Sequence, residues 1–358
     1  MRWLFSVRID IALMLVVSFL SSGCGQNKTT QSEPSPASPK QPNAGSDSAI
    51  SSLPLHMEIQ TGLKDISSLA VTPDGKTAAV HGKGDKKNLE VWNLETKTKT
   101  LELDNLNGGR RDIALSTDGK KLLFEKIRGA AEVEIATKKT NDLLATGDGY
   151  TFSPTADAAV TVSYGKVHIW DLAKAKDWEW QADKDNNNIS VKVYWGKSGR
   201  VAVGHKDGTI SLWELESGKP IKTLTELRDK APKGLTPSGH SPVAWSPDGK
   251  LLVTSGTIDP YTIWNVDTGK IEKSIEVTHG YGDPVFLPDG KSLVYSKSKS
   301  GSQTADSIVI ERLDTGVKKE YSGHTVGRTE FAVSPDGKTL YVAGDNSSTL
   351  KAWKLDTQ

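Results

Sequence analysis

The chain has 358 residues, with 45 Lys and Arg against 44 Asp and Glu, 36% hydrophobic residues, 33 Gly, 16 Pro, 10 Trp and a single Cys. Residues 1–23 hold Arg2, Arg8 and Asp10, so the remainder carries cations and carboxylates in equal number. A neutral body lacks the clustered cations that nucleic-acid binding needs. So many Gly and Pro exclude a coiled coil or a helical bundle, and the two-domain prior that the length suggests yields to an internal period.

The N-terminus reads as an address. Arg2 and Arg8 give it a positive start, and Ile11 to Leu20 is a ten-residue apolar run. Ten residues make about 15 Å of helix, too short for a hydrocarbon core of about 30 Å, which is the signature of a signal peptide. Ser21, Ser22 and Gly23 are small, and Cys24, the sole cysteine, follows them, so no intramolecular disulfide can form. This arrangement resembles a bacterial lipoprotein. The resemblance implies cleavage before Cys24, a diacylglycerol on its thiol, and an anchor on the extracytoplasmic side of a membrane, periplasmic or cell-surface. The position three before the cysteine, usually Leu in that family, is Ser21 here, with Leu20 one further out. The alternative is an ordinary cleavage site or an uncleaved anchor, with Cys24 incidental. Residues 25–52 are polar, rich in Pro and Ser, and free of aromatics. Such a segment cannot bury enough apolar surface to offset its ordering entropy, and it spans about 30 Å as a flexible chain. The expected organisation is a signal peptide over 1–23, a lipid-anchored linker over 24–52 and a folded body over 53–358.

A turn recurs through the body. Thr72-Pro73-Asp74-Gly75-Lys76 returns at Ser116–Lys120, Ser246–Lys250, Leu287–Lys291 and Ser334–Lys338, with degenerate copies at Ser153–Asp157 and Gly196–Arg200. Pro presets φ, Asp accepts local backbone bonds and Gly takes the left-handed position. Apolar, β-branched runs flank each copy, so seven hairpins result. The mean step from Asp74 to Asp336 is about 44 residues, the period of a β-propeller. A third strand follows each hairpin, with Trp at one repeated place: Trp92, Trp170, Trp213, Trp264 and Trp353. Val133–Ile135 and Ile308–Glu311 are weaker copies.

On these turns and tryptophans, residues 53–358 resemble the WD40-repeat family, an all-β, seven-bladed β-propeller. Trp170-Asp171 is the one true Trp-Asp dipeptide, and the family's Gly-His pair occurs at His240 and His324. The resemblance implies a structural hydrogen-bond network, offered by His240, Thr254 and Trp264 in the fifth blade and by His324 and Trp353, with Asp345 nearby, in the seventh. It also implies protein partners. The last blade lacks a fourth strand at the C-terminus, whereas Leu55–Gln60 alternates apolar and polar residues ahead of the first hairpin. This segment is therefore expected to pair with Leu350–Trp353 and close the ring, removing an exposed edge.

Chemistry-bearing patterns are sparse. Seven histidines are spread about one per repeat, with no metal-ligand spacing. No nucleophile elbow, phosphate loop or dinucleotide fingerprint occurs. No catalytic residue, metal or cofactor is therefore expected. Two segments break the period, 225–238 and 296–307, and long loops on a rigid scaffold often carry recognition. Lys230 and Lys297 in these segments, with Trp178 and Trp180 on an outer strand, are the candidate partner contacts. The expected function is a non-enzymatic, membrane-tethered scaffold that binds proteins through loops at one end of the ring. The other reading, an enzyme or small-ligand binder similar to lactonase-type or YVTN propellers, would place a polar cluster in the central channel.

Overall fold

A computed structural model describes residues 53–355, apart from 86, 105–111, 127–128, 145–149, 154–155, 164, 173, 175, 183–187, 195–198, 231–240, 257–260, 276–281, 299–304, 327 and 345. Cys24 and the linker thus lie outside the described residues. The body is a seven-bladed β-propeller, each blade an antiparallel sheet of four strands. Blade 1 runs outward through Leu63–Val71, Thr77–Gly84, Leu89–Asn93 and Thr98–Leu103. Blade 2 begins at Ile113–Leu115, blade 3 at Thr151–Phe152, blade 4 at Asn188–Tyr194, blade 5 at Ser241–Trp245 and blade 6 at Val285–Phe286. Blade 7 is Thr329–Val333, Thr339–Gly344 and Thr349–Lys354, completed by Leu55–Gln60.

That last pairing closes the ring as the sequence predicts. Ile59 stands opposite Leu350, Glu58 opposite Lys351 and Met57 opposite Ala352, with a bulge before Leu55 opposite Trp353. The alternation has its physical consequence: Met57 and Ile59 are buried, while Leu55, Glu58 and Gln60 are exposed. Each buried side chain of this size contributes about 1.5–3 kcal/mol. The core is divided among seven apolar clusters, one at each seam between blades. At the seam of blades 1 and 2, for example, Leu89 and Val91 meet Leu122, Phe124 and Val133. Burial on both faces explains the apolar runs of the second strands, such as Leu122–Phe124 and Leu251–Val253, whereas the third strands interpose polar residues such as Glu90, His168 and Ser211.

The recurring turn is closed by its own carboxylate. Asp74 Oδ1 accepts the Thr72 hydroxyl at 2.6 Å and the Lys76 N–H at 3.0 Å. Asp118, Asp248 and Asp336 repeat the pattern with Ser116, Ser246 and Ser334. The glycine that follows lies at φ between +65° and +70° in all five regular copies. Blade 3 departs from this. Ala156 takes the left-handed position at φ +58°, and Asp157, one residue later, accepts the Ser153 hydroxyl. In the regular turns, Asp74, Asp118, Asp248 and Asp336 are held below the usual carboxylate range by these bonds. Hydrogen bonds from Ser116 and the Lys120 backbone bring Asp118 down to about 2.

A second repeated bond joins the third strands to these turns. In every blade the apolar residue after the third strand donates its N–H to a carbonyl at the first turn, from Leu94 to Lys76 in blade 1 through Leu355 to Lys338 in blade 7, at 2.7–2.9 Å. Both kinds of turn therefore lie at one end of each blade, the turn end. The links between blades, and the turns from second to third strand, deliver the chain to the other, the loop end.

The two segments that break the period carry some structure of their own. The link 225–238 begins with a short helix, Glu226–Lys230, whose first turn Thr225 holds by donating its hydroxyl to Asp229 at 2.6 Å. Within 296–307, strand pairing continues as far as Lys297 opposite Ser307.

Candidate functional site

At the loop end, charged residues at the starts of three inner strands tie two blades together. Asp65 Oδ1 accepts the Asn346 N–H of blade 7 at 2.9 Å. Asp112 Oδ2 accepts the Phe152 N–H of blade 3 at 3.1 Å. Arg328 of blade 7 donates to Asp283, just ahead of blade 6's inner strand, at 3.2 Å, and lies 3.7 Å from Glu330. Gly282 packs so closely on the Thr329 backbone that a Cβ there would meet its carbonyl at 2.0 Å. Tyr261 donates its hydroxyl to the Gly282 carbonyl at 2.7 Å, fixing the approach from blade 5. Three of the seven seams are thus tied by charged residues at this end. Among the described residues no group of three or more His, Cys, Asp or Glu could hold a metal ion.

The repeated tryptophans occupy one register but use different partners. Trp264 is fully buried and donates to Thr254 Oγ1 at 3.0 Å. Trp213 donates to Ser211 Oγ at 2.8 Å, and His205 Nε2 lies 2.7 Å from the same hydroxyl. Trp92 donates to Glu90 Oε2 at 2.9 Å. Glu90 also accepts Lys99 at 3.0 Å and the Gly62 N–H at 3.1 Å, where the chain leaves the closing strand. Trp170 lies 5.4 Å from the Tyr150 ring and stacks on His168, while its neighbour Asp171 pairs with Lys174 at 2.8 Å. Trp353 packs at the seam of blades 6 and 7. His240 and Asp345 lie outside the described residues, and His324 falls on the strand Lys318–Val326.

In blade 2 the tryptophan position is Val133, opposite Leu122. In blade 6 it is Glu311, opposite Leu293, a carboxylate with no solvent exposure. Its charge is met by Lys273 of blade 5 at 2.5 Å and Lys318 of its own blade at 3.3 Å, while Tyr295 donates its hydroxyl to Oε2 at 2.9 Å. Burial, and then the Glu311 charge, push the Tyr295 phenol far up, so it stays a donor. The sequence signal for this cluster is faint: a lone carboxylate where five other blades carry an aromatic.

Trp178 and Trp180 do not form an open patch. Both are half-buried on the outer strand Lys176–Gln181 and pack at the seam of blades 3 and 4. Trp180 lies under the turn of the next blade, where a Cβ on Gly218 would meet the indole at 2.8 Å. Both indole nitrogens are buried without a hydrogen-bond partner. Lys297 is in an ion pair with Glu320 at 3.0 Å. Lys230 closes the short helix, which is moored to blade 5 by Glu226 accepting the Ile271 N–H at 2.8 Å. The structure does not bring these four residues together.

Comparison with known proteins agrees with this architecture. A family model described as the anaphase-promoting complex subunit 4 WD40 domain matches residues 150–236. A WD repeat-containing protein 26 homolog from Drosophila melanogaster is 30% identical over 164 residues, 44% of this chain and 24% of that one. WD repeat-containing protein SL1-17 from Schistosoma mansoni is 29% identical over 44% of this chain and 48% of its own length. Anaphase-promoting complex subunit cdc20 from Dictyostelium discoideum is 28% identical over 44% of this chain and 30% of its own. The chain therefore spans less than half the length of each of these relatives, and its likeness to them is that of a WD40-repeat propeller.

Proposed function

We propose that this protein is a non-enzymatic interaction scaffold: a WD40-type propeller, held at the extracytoplasmic face of a bacterial membrane by a lipid on Cys24, that binds protein partners with the loop end of its ring. The carrying observation is the asymmetry of the two ends. The turn end repeats one hydrogen-bonded turn, whereas the links at the loop end run from two residues to sixteen and three of the inner strands they enter are tied across a seam. Tied seams under individual loops suit recognition rather than chemistry. The matching family model and one matched protein are named as anaphase-promoting complex subunits, in keeping with a scaffold.

Two measurements test this reading. Metabolic labelling with a fatty acid should mark the wild-type chain and not Cys24→Ser, which should also leave the membrane fraction. Label or membrane retention persisting in the variant counts against the anchor. Affinity capture with the full chain should recover a protein partner that is lost when loop-end residues such as Lys83 and Lys206 are changed to Glu. Retention by that variant, with loss on changing Lys250 and Lys291, would place recognition at the wrong end.

A further inference from the structure

The point where the chain enters the ring has a consequence for how it sits. Pro54 accepts the Lys354 N–H at 3.1 Å, and the next residue, Leu355, donates to the Lys338 carbonyl of the blade 7 turn at 2.8 Å. Leu53 is buried against the same region, with Leu340, Trp353 and Leu355. Leu53, the first described residue, therefore lies at the turn end. That end has a charge pattern of its own. The five regular turns finish in Lys76, Lys120, Lys250, Lys291 and Lys338, one from each of five blades. The first four have side chains 55–76% exposed, and Lys338 is exposed as well.

The carboxylates of the same turns each accept a Ser or Thr hydroxyl and a backbone N–H, and Asp118 and Asp248 also meet Lys120 and Lys250 of their own turns at 3.3 and 3.9 Å. The lysines reach outward on four-carbon stems. Their ion pairs, from 3.2 Å for Lys76–Glu95 to 3.9 Å for Lys250–Asp248, join exposed groups and exchange readily with other anions. Lys138 and Lys139, Lys319, and Lys121 beside Glu132 add further cations at this end.

We propose that the turn end docks on an anionic phospholipid surface, with these five lysines as its contacts. The proposal rests on the tether reading, since a tether leaving from this end brings it to the headgroups. A tether at Cys24 would keep the ring at high effective concentration above the bilayer, so that weak attraction by several lysines suffices. The ring then lies with its turn end on the membrane and its loop end facing outward, clear for a protein partner.

The test is co-sedimentation of the full chain with vesicles of phosphatidylcholine alone and of phosphatidylcholine with phosphatidylglycerol. The readout is the ratio of anionic to neutral binding, which cancels any hydrophobic anchoring from the N-terminus. The expected ratio is well above one in low salt and falls toward one as salt is raised. Changing the five lysines to Gln should lower it by about tenfold or more. Changing Lys64, Lys83, Lys126 and Lys206 at the loop end should leave it within about twofold of the parent chain. A ratio near one, or an equal loss from the loop-end set, overturns the proposal; unchanged melting temperatures confirm that both variants are folded. Failure of the tether reading looks different: Cys24→Ser would leave binding to neutral vesicles unchanged, while the ratio still reports on the lysines.

Discussion

The two ends of the ring are built on opposite plans. At the turn end one solution is repeated: an Asp that ties a Ser or Thr hydroxyl to the lysine N–H, and a bond from the residue after each third strand. At the loop end the links run from two residues to sixteen, and charges at the starts of three inner strands are committed to neighbouring blades. Repetition marks where the fold makes itself, and variation marks where selection had latitude once the seams were secure. Blades 5 and 6 show the same contrast side by side, with Trp264 and Glu311 in one register.

The largest expected effect comes from the strand that joins the two plans. Deleting residues 53–61 leaves Thr349–Lys354 as a bare edge and removes Met57 and Ile59 from the seam. The melting temperature should fall by more than about 10 °C, and size-exclusion chromatography should show self-association. A monomer that melts unchanged would mean that the ring does not depend on this strand. Next comes Trp264→Ala, which empties a fully buried site and should cost about 3–5 kcal/mol in chemical denaturation.

Glu311→Gln in the matching register should cost about 2 kcal/mol. That is less than the 3–5 kcal/mol of a wholly buried pair, because Lys273 and Lys318 both reach water. If it instead stabilises the protein, the carboxylate is not holding the seam of blades 5 and 6. Gly218→Ala and Gly290→Ala separate a seam contact from turn geometry. Both lie at positive φ, but only Gly218 has an indole within 2.8 Å, the nearest atom to a Cβ on Gly290 being Pro247 Cδ at 3.9 Å. The first should destabilise by about 2 kcal/mol and the second by about 1 kcal/mol. Equal losses would remove Trp180 from the account of the seam of blades 3 and 4.

The smallest effect is at a single exposed turn. Asp118 is held at about 2, below the value of about 3.9 for an unfolded chain. Its contribution is therefore complete above about pH 4 and fades as pH falls toward 2. Ser116→Ala should raise this pKa toward the ordinary range, as read by NMR titration of the carboxyl. No upward shift would show that the serine hydroxyl is not what holds the charge.

Much of the framework was legible because it is local. Pro, Asp and Gly at fixed offsets specify the turn within five residues, and the alternation of Leu55–Gln60 marks a half-exposed strand wherever it pairs. The tryptophan register was legible for the same reason. Glu311 was not, because a carboxylate near the end of an apolar run looks solvated until Lys273 from another blade is seen to meet it. Trp178 and Trp180 plainly share a face, but whether that face is open depends on Gly218, some forty residues away in a separate blade. The helix Glu226–Lys230 is too short to carry a period, and its anchor, the Ile271 N–H, belongs to the following blade.

The claim that the loop end recognises partners while the turn end does not is tested most directly by placing one photo-crosslinking residue at a time in the full chain, in cells. Sites at Lys83 and Lys206 should trap a protein partner, and sites at Lys250 and Lys291 should trap none. Protein adducts from the turn-end sites, with none from the loop end, would contradict the account.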